Sequence, residues 1–367
     1  MSKPKILIFA PREEPPSIIS QLEGAGFQVA LGSLDWQLPR GNYEDAFAAA
    51  ARDTVALMGT SIRHTPVSRR IMEGSQRLRI VAKYTVGVDD VDVEAATDLG
   101  IMVCHAPTES NCFAVAETTV AMMLTILKKV RERDASVRAG QWRQEHHSGT
   151  FVGSRLSDGY PGITLGIVGL GRIGSRVAQL LAPWRIRILA YDPYIPPANF
   201  LLANARQIDY PTLLRESDVV SFHVVLTKET RFMLGEPELT MMKPTAVVLN
   251  TARGKVIDEA AVARAIAAGK IAGAGIDAFE EEPLPADSPL RGLGDKVLFS
   301  PHSAAHSYGG QLRPGIAWAT RSVLAALSGN VPDNVYNREV IPRWKERFGG
   351  AGVTADPTHT ERLEERE

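Results

Sequence analysis

Cysteine is scarce: Cys104 and Cys112 are the only two in 367 residues. Two thiols do not make the disulfide framework of a small secreted scaffold, and they fit a reducing cytoplasm. Charge of neither sign is in excess. The 41 Lys and Arg against 42 Asp and Glu leave a formal net charge of −1, so neither a nucleic acid nor a membrane surface is expected as a partner. No run of roughly 18 apolar residues occurs, so no transmembrane helix is expected. The apolar run Ile6–Ala10 is short and is followed at once by Pro11. It reads as a buried first strand rather than a signal peptide. Internal repeats and low-complexity tracts are lacking as well. What remains is ordinary globular composition, 44% hydrophobic and 7% aromatic. At about 150 residues per domain, the length suggests two domains.

Short apolar runs alternate with longer amphipathic ones. In the first third the strand candidates are Lys5–Ala10, Thr54–Gly59, Arg79–Lys83 and Ile101–Cys104, with helical stretches at Asp45–Arg52 and Val91–Leu99. Strand then helix, repeated, predicts a parallel sheet covered by helices on both faces. A long helix is expected to open near Asn111 and run through Val115–Arg133, because Ala116, Val120, Met123, Leu124 and Leu127 keep the helical period. A second series begins at Ile163. Its strand candidates are Thr164–Gly169, Arg187–Asp192, Val219–His223, Ala246–Asn250, Gly273–Ile276 and Val297–Ser300. Six strands over that length make a complete dinucleotide-binding domain. A last helix is expected over Gly315–Ser328. Residues 336–367 read as a C-terminal tail, partly disordered, polar and charged from Ala351 onward.

Gly169-Leu170-Gly171-Arg172-Ile173-Gly174 is a G-x-G-x-x-G sequence. It follows an apolar run and precedes a helical pattern, which is the context that gives the motif meaning. Gly169 permits a tight turn, Gly171 lets the backbone approach a pyrophosphate, and Gly174 lets helix and strand pack closely. The helix start then offers free N–H groups and a positive dipole end to the phosphates. Asp192 ends the next strand, 18 residues after Gly174. An acid there accepts hydrogen bonds from both ribose hydroxyls and repels the extra phosphate of NADP, so NAD is the expected cofactor. Arg172 and Ile173 of the loop join this cofactor set, as do Val224, Thr251 and Ala252 at or near later strand ends.

Three more segments stand at predicted strand ends, where open α/β sheets bind their ligands. They are Leu249–Gly254, Gly275–Pro283 and Ser300–Ala304. With the glycine loop, they resemble the D-isomer-specific 2-hydroxyacid dehydrogenase family, which includes phosphoglycerate, glycerate/glyoxylate and D-lactate dehydrogenases. The resemblance extends to about Asn337 and keeps four motifs in order. It implies that Arg253 is the substrate-binding arginine, that Glu282 is the acid of the family's D-x-F-x-x-E-P motif, that His302 is the histidine of its P-H motif, and that Asp277 lies near the nicotinamide ring. The chemistry of these residue types agrees. Arginine holds a carboxylate with a planar fork and polarises the neighbouring carbonyl. Histidine supplies the proton that the developing alkoxide needs. A glutamate on its other ring nitrogen stabilises the imidazolium. Each residue also has a bland reading: a surface arginine, a satisfied loop histidine, a solvated acidic turn at Glu280–Glu282.

In the first domain, Lys83–Asp92 resembles the family's G-V-D-N-x-D loop, which implies that the backbone N–H groups of Val86 and Gly87 bind the substrate carboxylate. The plainer reading is a strand-to-helix turn with Asp89 or Asp90 as cap. Asn111 and Glu117 resemble the opening of the family's interdomain helix, with Asn111 equally plausible as a helix cap. Lys83 lies where phosphoglycerate members tend to carry a basic residue, yet Leu57–Ser61 lacks the arginine such members often add. The stretch Trp142–Gly162 is longer than usual and holds His146 and His147. Adjacent histidines without a third ligand sit on surface loops more often than on zinc, so no metal is expected.

The sequence therefore predicts two doubly wound parallel-sheet domains with the active site in the cleft between them. Residues 1–106 with 304–335 form a flavodoxin-like substrate domain, and 107–303 form a Rossmann NAD-binding domain. The expected activity is reversible oxidation of a D-2-hydroxy acid to a 2-keto acid in a cytoplasmic homodimer. An NAD(H)-sensing corepressor on the same fold is the alternative. A formate-type enzyme fits less well, because those replace the acid partner of the histidine by an amide. Too few residues follow Gly329 for a C-terminal regulatory domain.

Overall fold

The computed structural model describes residues 3–11, 16–32, 41–62, 65–306 and 312–353. The chain divides into two units, Met1–Glu109 with Gly310–Glu367, and Ser110–Gly309. The sequence reading places these boundaries at 106/107 and 303/304.

The first unit is built on five parallel strands: β1 (Lys5–Ile8), β2 (Gln28–Leu31), β3 (Thr54–Gly59), β4 (Ile80–Lys83) and β5 (Met102–Cys104). Their order is β2-β1-β3-β4-β5, the flavodoxin-like order. Every residue of β3 and β4 is buried, as expected of strands covered on both faces. One face packs against the helix Arg313–Leu327 through Ile316, Ala319 and Val323. The helix Val93–Asp98 is capped by Asp92, whose Oδ1 accepts from Ala95 N at 2.9 Å. The cap expected at Asp89 or Asp90 is thus two or three residues later, and Asp90 is engaged elsewhere.

The second unit is a seven-stranded parallel sheet: β6 (Thr164–Val168), β7 (Arg187–Tyr191), β8 (Arg206–Gln207), β9 (Val219–Phe222), β10 (Val247–Asn250), β11 (Gly273–Ile276) and β12 (Val297–Phe299). The order is β12-β11-β10-β9-β6-β7-β8, the doubly wound dinucleotide-binding order extended by one strand. The strand order reverses between β6 and β9, which opens a crevice at their carboxyl ends. β2 and β8 escape the hydrophobic pattern. β8 has two exposed residues and β2 none that is fully buried.

The long helix is shorter than its periodicity predicts. It spans Glu109–Leu127, and a second helix follows at Val130–Arg138. Lys129 between them is left-handed, with φ 52°. The apolar stripe ends at Leu127, and without it nothing holds the helix straight through the charged run Lys128–Arg133. Among the described residues, Glu109–Leu127 is also the one helix long and apolar enough to cross a membrane. Here Ala116, Met122, Met123 and Leu127 pack with Leu165 and Leu249 in the core of the second unit. Asn111 lies inside its first turn rather than at its cap.

The expected tail is corrected most. Residues 338–340 form a turn of 3-10 helix and Ile341–Phe348 an α-helix. Val340, Trp344 and Phe348 stand four apart on one face and join the core of the first unit. Trp344 is fully buried and its Nε1 donates to Arg79 O at 2.9 Å. The Asn337 side chain accepts from Val103 N at 2.8 Å and donates to Ile101 O at 3.1 Å. The many charges around these three large apolar residues lower the average hydropathy, but the i, i+4 spacing of the three is a helical stripe. Residues 354–367 lie outside the described residues. Trp344→Ala should cost about 3–5 kcal/mol of unfolding free energy, read from urea denaturation. A loss below about 1 kcal/mol would mean that this helix contributes little to the fold.

Candidate active site

Most of the candidate residues sit at the carboxyl edge of the second sheet. β6 ends in the glycine loop, and the helix Arg172–Leu181 starts directly after Gly171. Gly169 has φ 89°, a left-handed conformation that glycine adopts without strain. A Cβ on Gly174 would stand 2.2 Å from Gly169 O, so the helix can approach the turn this closely only without a side chain. On Gly171 a Cβ would meet nothing within 4 Å. That open side, at a helix N-terminus, is the shape a pyrophosphate needs. Val224 closes the other side, its Cγ1 2.9 Å from where a Gly169 Cβ would be. Arg172 is exposed and Ile173 half-buried.

Asp192 directly follows β7 and ties the loop down. Its Oδ2 accepts from Leu170 N at 2.9 Å and its Oδ1 from Tyr194 N at 3.0 Å. A carboxylate oxygen has a second lone pair, so these bonds orient the acid without exhausting it.

Arg253 follows β10. Asn250 folds the segment: its Nδ2 donates to Arg253 O at 2.9 Å and its Oδ1 accepts from Ala252 N at 3.2 Å. Arg253 Nη1 donates to Ala252 O at 2.8 Å. Gly254 is pressed against the next segment so closely that a Cβ would stand 1.9 Å from the carbonyl carbon of Phe279. Thr251 is buried with its hydroxyl 2.8 Å from that of Thr119 on the helix Glu109–Leu127.

β11 leads into Asp277 and Glu282. Asp277 is buried, and its Oδ1 accepts from Ser303 N at 2.9 Å and Ala304 N at 3.2 Å. Its carbonyl accepts from His302 N at 2.8 Å. His302 itself is left-handed, φ 52°, a conformation rare outside glycine and held here by those bonds. The imidazole Nδ1 faces both oxygens of Glu282, at 2.8 and 3.0 Å. Glu282 Oε1 also accepts from Phe279 N at 2.9 Å. The Glu282 side chain is 15% exposed and that of His302 36%, so the carboxylate is sheltered while the ring reaches solvent.

The profile of the D-isomer specific 2-hydroxyacid dehydrogenase NAD-binding domain matches residues 120–304. Over 345 residues the sequence is 36% identical to a glyoxylate reductase of Thermococcus litoralis, covering 92% of this chain and 98% of that one. The chain belongs to the D-isomer specific 2-hydroxyacid dehydrogenases. It is thus an NAD-dependent oxidoreductase of 2-hydroxy and 2-keto acids. A D-3-phosphoglycerate dehydrogenase of Mycobacterium bovis is also 36% identical, over 97% of this chain but 64% of its own length. Among solved structures, the D-lactate dehydrogenase of Aquifex aeolicus complexed with NAD and lactic acid is similar, with a TM-score of 0.75 and 26% identity. That match covers 92% of this chain and 98% of the other.

In the first unit of this dehydrogenase, Val86 and Gly87 are half-buried in the loop after β4. Their carbonyls are used: His105 Nδ1 lies 3.1 Å from Val86 O, and Thr85 Oγ1 donates to Gly87 O at 3.1 Å. Lys83 does not serve as a surface cation. It is fully buried, its Nζ donating to Thr60 O at 2.8 Å and pairing with Asp90, which also accepts from Ile62 N. Burial pulls its pKa below the ordinary lysine value, and the Asp90 charge opposes that pull.

Sequence reasoning missed Asn250, Thr118 and Thr119. Thr118 Oγ1 donates to Ala304 O at 3.0 Å, so one helix steadies both the arginine and the histidine segments. For the two threonines the sequence signal is a Thr-Thr pair within a mainly apolar helix. Glu117 is exposed. His146 and His147 meet edge to face with ring centroids 4.0 Å apart, and among the described residues no three metal-ligating side chains gather. Gly254→Ala should lower turnover by roughly 10²-fold, since displacements of about 1 Å suffice for that. Steady-state assay of the folded variant decides it, and full activity would show that the Arg253 segment tolerates a shift.

Proposed function

We propose that this enzyme interconverts a small, unphosphorylated D-2-hydroxy acid and its 2-keto acid, with Arg253 binding substrate and the Glu282–His302 pair moving the proton. The observation that carries this reading is the contact of His302 Nδ1 with both Glu282 oxygens. With Nδ1 committed to the acid, the other ring nitrogen, Nε2, is the one that delivers the proton to the developing alkoxide. Arg253 holds the substrate carboxylate and polarises the carbonyl. NADH supplies the hydride when bound, its phosphates at Gly169–Gly174 beside Val224 and its ribose at Asp192, with Thr251 and Ala252 also in the cofactor set and Asp277 near the nicotinamide ring.

Val86 and Gly87 are read as the second carboxylate-binding element. Among the described residues neither backbone N–H has an acceptor of its own, so both can donate to a ligand oxygen. The absence of phosphate on the substrate is read from Lys83, whose ammonium is sealed inside the first unit.

The test is a panel of 2-keto acids with and without phosphate groups, assayed for NADH oxidation. Turnover of glyoxylate or pyruvate above hydroxypyruvate phosphate is the expected result. NADH binding with negligible turnover of every acid would favour a sensor instead. Reduction needs His302 protonated, so its rate should fall as pH rises, while the oxidation rate climbs. Glu282→Gln removes the anion that stabilises the imidazolium and should move both limbs to lower pH. His302→Ala should cost roughly 10²–10⁴-fold in turnover with NADH affinity retained. Near-full turnover of that variant would assign the proton to another group.

The chain is further read as a cytoplasmic homodimer. Both cysteines are unbridged and buried, in keeping with a reducing compartment. Trp142 is 72% and Leu156 82% exposed, with Phe151 also outward in the same stretch. So much apolar surface in one segment suits an interface between copies. Light scattering should give a dimer that Trp142→Asp with Leu156→Asp splits into folded monomers. A monomeric unmutated protein would overturn this.

A further inference from the structure

Two acids outside the Glu282–His302 pair join the segments that carry Arg253 and Glu282. Glu259 opens the helix Glu259–Ala267, six residues after Arg253, and Glu280 lies two residues before Glu282. Glu259 N donates to Glu280 Oε1 at 2.9 Å, and Glu280 N donates to Glu259 Oε1 at 2.5 Å. The exchange is reciprocal, and Glu259 is buried.

The helix does not need Glu259 as a cap. Asp258 already serves, its Oδ1 accepting from Ala261 N at 2.8 Å. The Glu259 side chain instead reaches across to the other segment. The arrangement is costly, because a buried carboxylate loses its hydration and stands beside a like charge. Both effects push the Glu259 carboxyl up to about 7, burial first. A group kept at such cost, away from the reacting atoms, calls for a reason. The same two segments also meet where Gly254 is pressed on Phe279. The Arg253 segment is therefore pinned to the Glu282 segment at two points, one steric and one hydrogen-bonded.

We propose that the Glu259–Glu280 clasp is a positioning device, fixing the separation of Arg253 from Glu282 and so setting the substrate carboxylate against the proton donor. This rests on the roles proposed above for Arg253, Glu282 and His302. Glu259 acts through its bond to Glu280 and is a positioning residue. When protonated, Glu259 still offers its carbonyl oxygen to Glu280 N. An amide at this position offers the same acceptor, alanine offers none, and aspartate is one methylene too short.

The experiment compares the unmutated protein with Glu259→Gln, Glu259→Asp and Glu259→Ala in NADH-dependent reduction of glyoxylate and pyruvate over a pH series. NADH affinity is measured in parallel by fluorescence. Glu259→Ala should lose on the order of 10- to 100-fold in kcat/KM for the 2-keto acid, through a raised KM and a lowered kcat. Its NADH Kd should stay within about twofold, because the glycine loop and Asp192 stand apart from the clasp. Its reductive limb should move to lower pH, since a loosened Glu282 supports the imidazolium less. Glu259→Gln should recover most of the loss and Glu259→Asp less. Unmutated kinetics in Glu259→Ala, or NADH affinity falling in step with kcat/KM, would overturn the clasp. If the alanine variant does not fold, Glu259→Asp decides, and full activity there overturns it too. An unmutated protein inactive on every 2-keto acid would instead overturn the site reading on which the clasp rests.

Discussion

Asp277 is buried at the end of β11, and both the shape of the histidine segment and the direction of its ring follow from it. Its carboxylate gathers the N–H groups of Ser303 and Ala304, and its carbonyl takes that of His302. A buried carboxylate without partners would be prohibitive, and a left-handed histidine without support would relax. Here each cost is met by the other. The turn supplies the donors the acid requires, and the acid holds the turn in a conformation that aims Nδ1 at Glu282. An aspartate expected only to border the nicotinamide is therefore also the structural anchor of the Glu282–His302 pair.

The same logic recurs around the sheet edge. Asp192 holds the glycine loop through Leu170, Glu282 holds Phe279, and Glu259 holds Glu280. Strand ends in a parallel sheet release their backbone into irregular loops, and the N–H groups there need acceptors. Carboxylates are the strongest acceptors available. An edge rich in acids is thus able to fix several loops at once, while the helix Glu109–Leu127 ties two of them together through Thr118 and Thr119.

Lys83 shows how placement reverses the meaning of a residue. As a sequence position it suggested phosphate recognition. In the fold it is the last residue of β4, wholly enclosed, with its ammonium on Thr60 O and Asp90. Such a buried pair stabilises little against hydrophobic replacement but is expensive to break. It ties the loop after β4, where Val86 and Gly87 lie, to the Thr60–Ile62 turn. Its work is to hold that loop in place.

The elements that bury whole apolar runs were legible from the start: β3 runs over Thr54–Gly59 and β11 over Gly273–Ile276 as the pattern indicates. So was the glycine loop between strand and helix, because tight turns and close packing leave few residue choices. The sequence by itself also brought Arg253, Glu282 and His302 to strand ends, which is all that period and order convey. It did not reveal β2 and β8, whose residues are too exposed to leave a pattern, nor the break at Lys129, nor the helix around Trp344 hidden among charges. Tertiary structure alone decided the contact of Glu282 with His302, the anchoring by Asp277 and Asn250, and the clasp of Glu259 with Glu280. Each joins segments that lie far apart or turn back on themselves. A polar side chain carries no periodicity, so its partner is fixed only when packing brings the two backbones together.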